Sequence, residues 1–123
     1  MYLILHLKQQ HMHELSIAIN IVEIVEDHAG GPDGSAVTEV ELDIGQNSGV
    51  VLEALQFALE EAVKSSVMAA ARIKINDIPA ICKCLSCAHE FVPEDIITPC
   101  PKCGHLYSDN IQGGEMKIKA IRF

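Results

Sequence analysis

The sequence predicts an α+β fold: two helices packed on a small three-stranded sheet, with a four-cysteine module inserted before the last strand. Three observations carry this expectation. Two stretches show apolar residues at three- and four-residue steps, and three shorter stretches alternate apolar with charged residues. Between the second and third of these strands lie two C-x₂-C pairs in a segment poor in large apolar residues.

Residues 12–29 read as the first helix. Leu15, Ala18, Val22, Val25 and Ala29 form one face, widened by Ile17, Ile21 and Ile24, while Ser16, Asn20, Glu23 and Asp27 line the opposite stripe. Gly30, Gly31, Pro32 and Gly34 end it, because such residues cannot continue a helix. In residues 36–44, Thr38, Val40, Leu42 and Ile44 point one way and Glu39, Glu41 and Asp43 the other, as in a half-buried strand. After a turn at 45–49, the second helix runs over about 51–64. Val51, Leu55, Ala58 and Ala62, with Leu52 and Leu59, form its buried side, and Glu60 and Lys64 are spaced to pair. Residues 72–78 and 115–121 are strands, with Ile73 and Ile75, then Met116, Ile118 and Ala120, turned inward. Their outward residues are basic and those of the first strand acidic, so cross-strand ion pairs follow wherever an acidic and a basic strand adjoin.

Residues 82–111 cannot offset the entropy of ordering by apolar burial alone, so something else must hold them. Cys84-x₂-Cys87 and Cys100-x₂-Cys103, with twelve residues between the pairs, supply it. Two tight turns, each presenting two sulfurs, complete a tetrahedron around Zn²⁺ with bonds of about 2.3 Å. Four thiolates leave no open coordination position, so this zinc is structural rather than catalytic. Gly104 suits the reversal after the second pair. Cys82 reads as a small buried hydrophobe, and His89 and His105 as surface residues beside the knuckles.

Composition narrows the function. The 123 residues are 49% hydrophobic yet include no Trp, two Tyr and three Phe, which implies an aliphatic core. A net charge of −8 with nine dispersed Lys and Arg opposes binding to nucleic acid or anionic membranes. No apolar run approaches the ~20 residues of a membrane span. The opening segment lacks the charge and length of a signal peptide, so a cytoplasmic protein with reduced thiols is expected.

The segment Met12-His13-Glu14-Leu15-Ser16 then resembles the start of the HypA/HybF family, accessory proteins that insert nickel during nickel-iron hydrogenase maturation. The likeness continues through Ile19 to Glu23, Ile44-Gly45, Ser48-Gly49-Val50, Glu53-Ala54-Leu55, Phe57-Ala58, both cysteine pairs and the closing strand to Phe123. It implies a nickel-binding domain of residues 12–81 with 112–123 and a zinc-binding domain of 82–111. It further implies that Ni²⁺ is carried as cargo on His13 and neighbouring backbone nitrogens, with Glu14 as a contact or outer residue. A nickel-handling GTPase and the hydrogenase large subunit are the implied partners; the sequence leaves the oligomeric state open, a homodimer being one option. Ni(II) favours such nitrogen donors in square-planar arrays.

The sequence departs from the family pattern at residues 1–11, which precede its usual first Met. Either Met12 is the real start, or the extension is genuine and the Met12 amine becomes an amide, with His11 a replacement imidazole. Gln46-Asn47 and Leu52 also replace the usual Glu-Leu and Pro. No nucleophile–base pair, phosphate loop or open zinc position marks an enzyme. The competing reading is a zinc-ribbon module that binds protein or nucleic acid without nickel, which the acidic charge disfavours.

Overall fold

The computed structural model describes the backbone of residues 2–6 and residues 14–29, 36–95 and 97–123. Nine elements follow in order: β1 Tyr2–His6, α1 Glu14–Asp27, β2 Glu39–Gly45, α2 Leu52–Ala62, β3 Arg72–Ile78, β4 Ile81–Cys84, β5 Glu90–Phe91, β6 Ser108–Gln112 and β7 Met116–Arg122. The larger sheet has the order β1-β7-β2-β3 and the smaller one β5-β4-β6. The three expected strands are β2, β3 and β7. A fourth, β1, joins them antiparallel along the free side of β7, with Leu5 opposite Ile118 and His6 opposite Lys117. Its residues belong to the extension for which no strand is expected from the sequence.

Strand β2 pairs parallel with β3 through the α2 crossover and antiparallel with β7. Both helices cover one face of this sheet, and the core between them is aliphatic: Ile21, Val25, Val40, Leu42, Ile44, Leu55, Leu59 and Ile118, joined by Met68 from the α2–β3 loop. The buried face of α1 is Ile17, Ala18, Ile21, Val22 and Val25. Leu15, expected in it, is 55% exposed, and Ala29 lies beyond the helix and is also exposed. The helix is rotated toward its isoleucines because that side bears the larger continuous apolar area. In α2, Leu55, Ala58 and Leu59 are buried, whereas Val51 sits at the N-cap and is exposed. Lys64 pairs with Glu61 at 2.9 Å rather than with Glu60, since the helix has ended before Lys64 and the i,i+4 geometry is lost.

The other sheet face is polar and densely paired. The acidic strand lies between the two basic ones, as the cross-strand pairs require. Glu41 accepts hydrogen bonds from Asn76 Nδ2 at 2.7 Å and from an Arg122 guanidinium N–H at 2.8 Å, and it faces Lys119 Nζ at 3.6 Å. Asp43 accepts from Asn76 at 2.8 Å, and Glu39 from Arg122 at 2.9 Å. These partners cover the carboxylates so thoroughly that Glu41 is only 4% exposed, where alternation alone predicts a solvated residue. A bulge corrects the reading of β7. Glu41 stands opposite Ala120 and the next residue, Leu42, opposite Ile118, so Lys119 is the extra residue and the facing order flips there. Ile121 therefore takes the core position, and Ala120 lies on the Glu41 side.

Two connections, 79–80 and 113–115, join the two sheets, and the turn after β2 holds the second of them and the last residue of β3, which leads into the first. Gly45 N–H donates to the Glu115 carbonyl at 2.7 Å, Gln46 N–H to that of Ile78 at 2.8 Å and Asn47 N–H to that of Gly113 at 2.8 Å. A Cβ on Gly45 would overlap the Gly113 carbonyl and lie 2.8 Å from Glu115 N, so only glycine permits this approach.

Candidate metal centre

The smaller sheet presents its cysteines through two near-identical turns. In the first, Cys84 N–H donates to the His89 carbonyl at 2.9 Å and Ala88 N–H to the Cys84 carbonyl at 3.0 Å. In the second, Cys100 N–H donates to the His105 carbonyl at 2.9 Å and Gly104 N–H to the Cys100 carbonyl at 2.8 Å. Gly104 has φ +79°, as expected from the sequence, and Ala88 occupies the equivalent place at φ 64°. The backbone carbonyls of His89 and His105 thus close the turns. Their rings do other work: His89 stacks on Phe91 with centroids 6.3 Å apart, and His105 meets Tyr107 edge-on at 5.8 Å. Sequence spacing locates the cysteines but does not expose the pseudo-twofold likeness of the turns, because Ala88 lacks the glycine signal.

The four sulfurs lie within 4.8 Å of one another. Cys84 Sγ is 3.5 Å from Cys103 Sγ, and Cys87 Sγ is 3.6 Å from Cys100 Sγ. A regular tetrahedron with metal–sulfur bonds of ~2.3 Å has edges of about 3.8 Å, so the arrangement fits one zinc-sized ion. All five cysteines are free thiols. Cys84 and Cys100 are buried and, with Cys82 and Phe91, form the small apolar cluster of this half; Cys87 and Cys103 are exposed. The small-hydrophobe reading of Cys82 agrees with its burial.

The thiols are electrostatically divided. The Cys87 N–H beside Cys84, helped by that of Ser86, holds its thiol down at about 6 against the opposing effect of burial. Burial opposes ionisation of Cys100, yet the N–H groups of Cys103 and Lys102 bring it below the usual thiol range. Cys103 has the His105 N–H in its favour, but the neighbouring sulfurs of Cys84, Cys87 and Cys100 and its desolvation push it up to about 12. Sulfurs packed this closely cannot all ionise without a cation among them. A bound cation would supply the charge that lets all four become thiolates.

Of the residues expected at the nickel end, Glu14 is the first residue of α1 and is half-buried. His13, Met12 and His11 lie outside the described residues.

The profile of the family described as hydrogenase/urease nickel incorporation, metallochaperone, hypA matches residues 12–123. The chain belongs to the HypA family. The hydrogenase maturation factor HypA of Parabacteroides distasonis is 42% identical over 110 residues, covering 89% of this chain and 96% of that protein. The HypA factor of Geobacter metallireducens is 38% identical over 110 residues, with 89% and 97% covered. The solution structure of the nickel metallochaperone HypA from Helicobacter pylori superposes with a TM-score of 0.63 at 26% identity, covering 91% of this chain and 97% of that one. A second HypA solution structure gives a TM-score of 0.66, also at 26% identity. The HypA match begins at Met12, so β1 lies outside it.

Proposed function

We propose that this chain carries Ni(II) on His13 and adjacent backbone nitrogens, with Glu14 beside them, and releases it to the hydrogenase large subunit with the help of a nickel-handling GTPase. The reading is carried by the HypA match, which opens on Met12-His13-Glu14 and runs through the four cysteines. Residues 82–111 are the zinc-binding domain, held by Cys84, Cys87, Cys100 and Cys103. Residues 12–81 with 112–123 are the nickel-binding domain. The zinc stabilises its module, and the protein is a cytoplasmic carrier and not an enzyme. The GTPase docks beside α1, where Ser16, Glu23 and Asp27 are exposed together with Leu15 and Ile19. No helix among the described residues is long and apolar enough to cross a membrane.

Nickel titration by calorimetry of chains starting at Met1 and at Met12 tests the cargo site. His13→Ala should abolish specific nickel binding with zinc content unchanged. The shorter chain, with a free amine at Met12, should bind more tightly. The longer one should lose nickel more steeply as pH falls, because an amide donor must be deprotonated, unless His11 substitutes; His11→Ala in that chain decides. Metal analysis of Cys→Ser variants tests the zinc: loss at 84, 87, 100 and 103 but not at 82 is expected. Unchanged nickel binding in His13→Ala would remove the assignment of the cargo site.

A further inference from the structure

Strand β3 ends the larger sheet, and among the described residues no strand pairs with its outer side. Which backbone groups it presents there follows from its bonds to β2. Arg72 N–H donates to the Thr38 carbonyl at 2.9 Å, and the Ile78 carbonyl accepts from Gln46 N–H at 2.8 Å. In a parallel pair, alternate residues turn both backbone groups to the same neighbour. Arg72, Lys74, Asn76 and Ile78 therefore bond β2, and Ile73, Ile75 and Asp77 direct their N–H and C=O groups outward. Beside this edge lies an open groove of about 500 Å³ lined by Ile73, Ile75, Leu59, Val63, Gln56 and Glu60. On the opposite sheet face, Lys74 is exposed and the Arg72 side chain is 80% exposed, its contact with Glu39 being a long 3.8 Å.

We propose that the β3 edge receives an extended segment of a protein partner as an added strand. The segment alternates apolar residues, which enter the groove against Leu59 and Val63, with acidic residues that face Arg72 and Lys74. Main-chain hydrogen bonds to Ile73, Ile75 and Asp77 supply the docking and the alternate side chains supply selectivity. Charge selects this occupant over a second copy of the chain. Antiparallel self-pairing would set the Arg72 and Lys74 of both copies on one sheet face, which is how basic edge residues oppose self-association. On the groove side, Glu60 disfavours a further acid, leaving apolar residues for those positions.

The test uses the full, zinc-loaded chain and a labelled synthetic heptapeptide of alternating valine and glutamate. Fluorescence anisotropy should show saturable binding, and hydrogen exchange should show slower exchange at Ile73, Ile75 and Asp77 amides. The double variant Arg72→Glu, Lys74→Glu should bind the acidic peptide about tenfold more weakly and accept a valine–lysine peptide instead. Because that variant places acids beside Glu39 and Glu41, a second arm leaves the protein unchanged: N-methylation of alternate peptide nitrogens should abolish binding. Absence of binding, protection elsewhere, or indifference to N-methylation would overturn the proposal. So would protection of the three amides that grows with protein concentration without peptide, which would assign the edge to a second copy.

Discussion

Ala88 is the residue where local strain is held by its surroundings. A side chain at φ 64° costs about 1–2 kcal/mol relative to the right-handed region, and the turn keeps it there through the Ala88-to-Cys84 and Cys84-to-His89 hydrogen bonds. Ala88→Gly removes that strain but widens the unfolded ensemble, so a small gain, up to about 1 kcal/mol, is expected. Gly104→Ala should cost about 1 kcal/mol or more through backbone strain alone, because nothing lies within 4 Å of the added methyl. Chemical denaturation of the zinc-loaded proteins measures both. Glu41 makes a different test. The hydrogen bonds from Asn76 and Arg122, with Lys119 and Lys74 nearby, outweigh its desolvation and lower it from the usual 4.5 to about 2. A carboxylate held below its unfolded value stabilises the fold fully above about pH 4.5 and loses that contribution as pH falls toward 2. Glu41→Gln should therefore be less stable at neutral pH, and the difference from the parent should shrink through that window. Comparing the two removes acid loss of metal as a common effect.

At the scale of elements, β1 and the β7 bulge matter most. Strand β1 covers β7, which would otherwise be a sheet edge with unpaired backbone groups. A chain beginning at Met12 should exchange the β7 amides that face β1 faster and lose roughly 1–3 kcal/mol of stability. Equal exchange in the two chains would mean that the pairing contributes nothing. The same shortened chain is expected to bind nickel more tightly, so stability and cargo affinity should move in opposite directions. The bulge at Lys119 lets β7 carry apolar residues into the core on both sides of it, Ile118 before and Ile121 after. It also brings Arg122 onto the polar face, where it bonds both Glu39 and Glu41.

Across the whole molecule, the 45–49 turn decides how the two halves are joined. Its three backbone hydrogen bonds reach the 113–115 connection and the last residue of β3, so the joint holds as long as Gly45 stays glycine. Gly45→Ala must displace the Gly113 and Glu115 backbone, and a loss of about 3 kcal/mol or more is expected by thermal or chemical unfolding. A variant as stable as the parent would show that the joint relaxes freely. Should the metal module then melt separately from the helical half, two transitions would replace one.

The sequence by itself determined the helices, three of the four strands of the larger sheet and the four-cysteine cluster. Periodicity reports which residues share a face, and C-x₂-C spacing reports sulfurs that one short turn brings together. Both are local signals. The family, too, was legible in residues 12–123, because its motifs keep their order along the chain. Only the tertiary structure decided that Tyr2–His6 form a strand, that Leu15 is exposed and that Glu41 is buried. It also decided that Lys119 is the residue that reverses the facing order in β7. Each depends on a neighbour distant in sequence: β7 for β1, the packed isoleucine face for α1, and Asn76 and Arg122 for Glu41. A carboxylate in an alternating strand carries the same local signal whether water or an arginine covers it, so its burial is settled by which strands lie alongside.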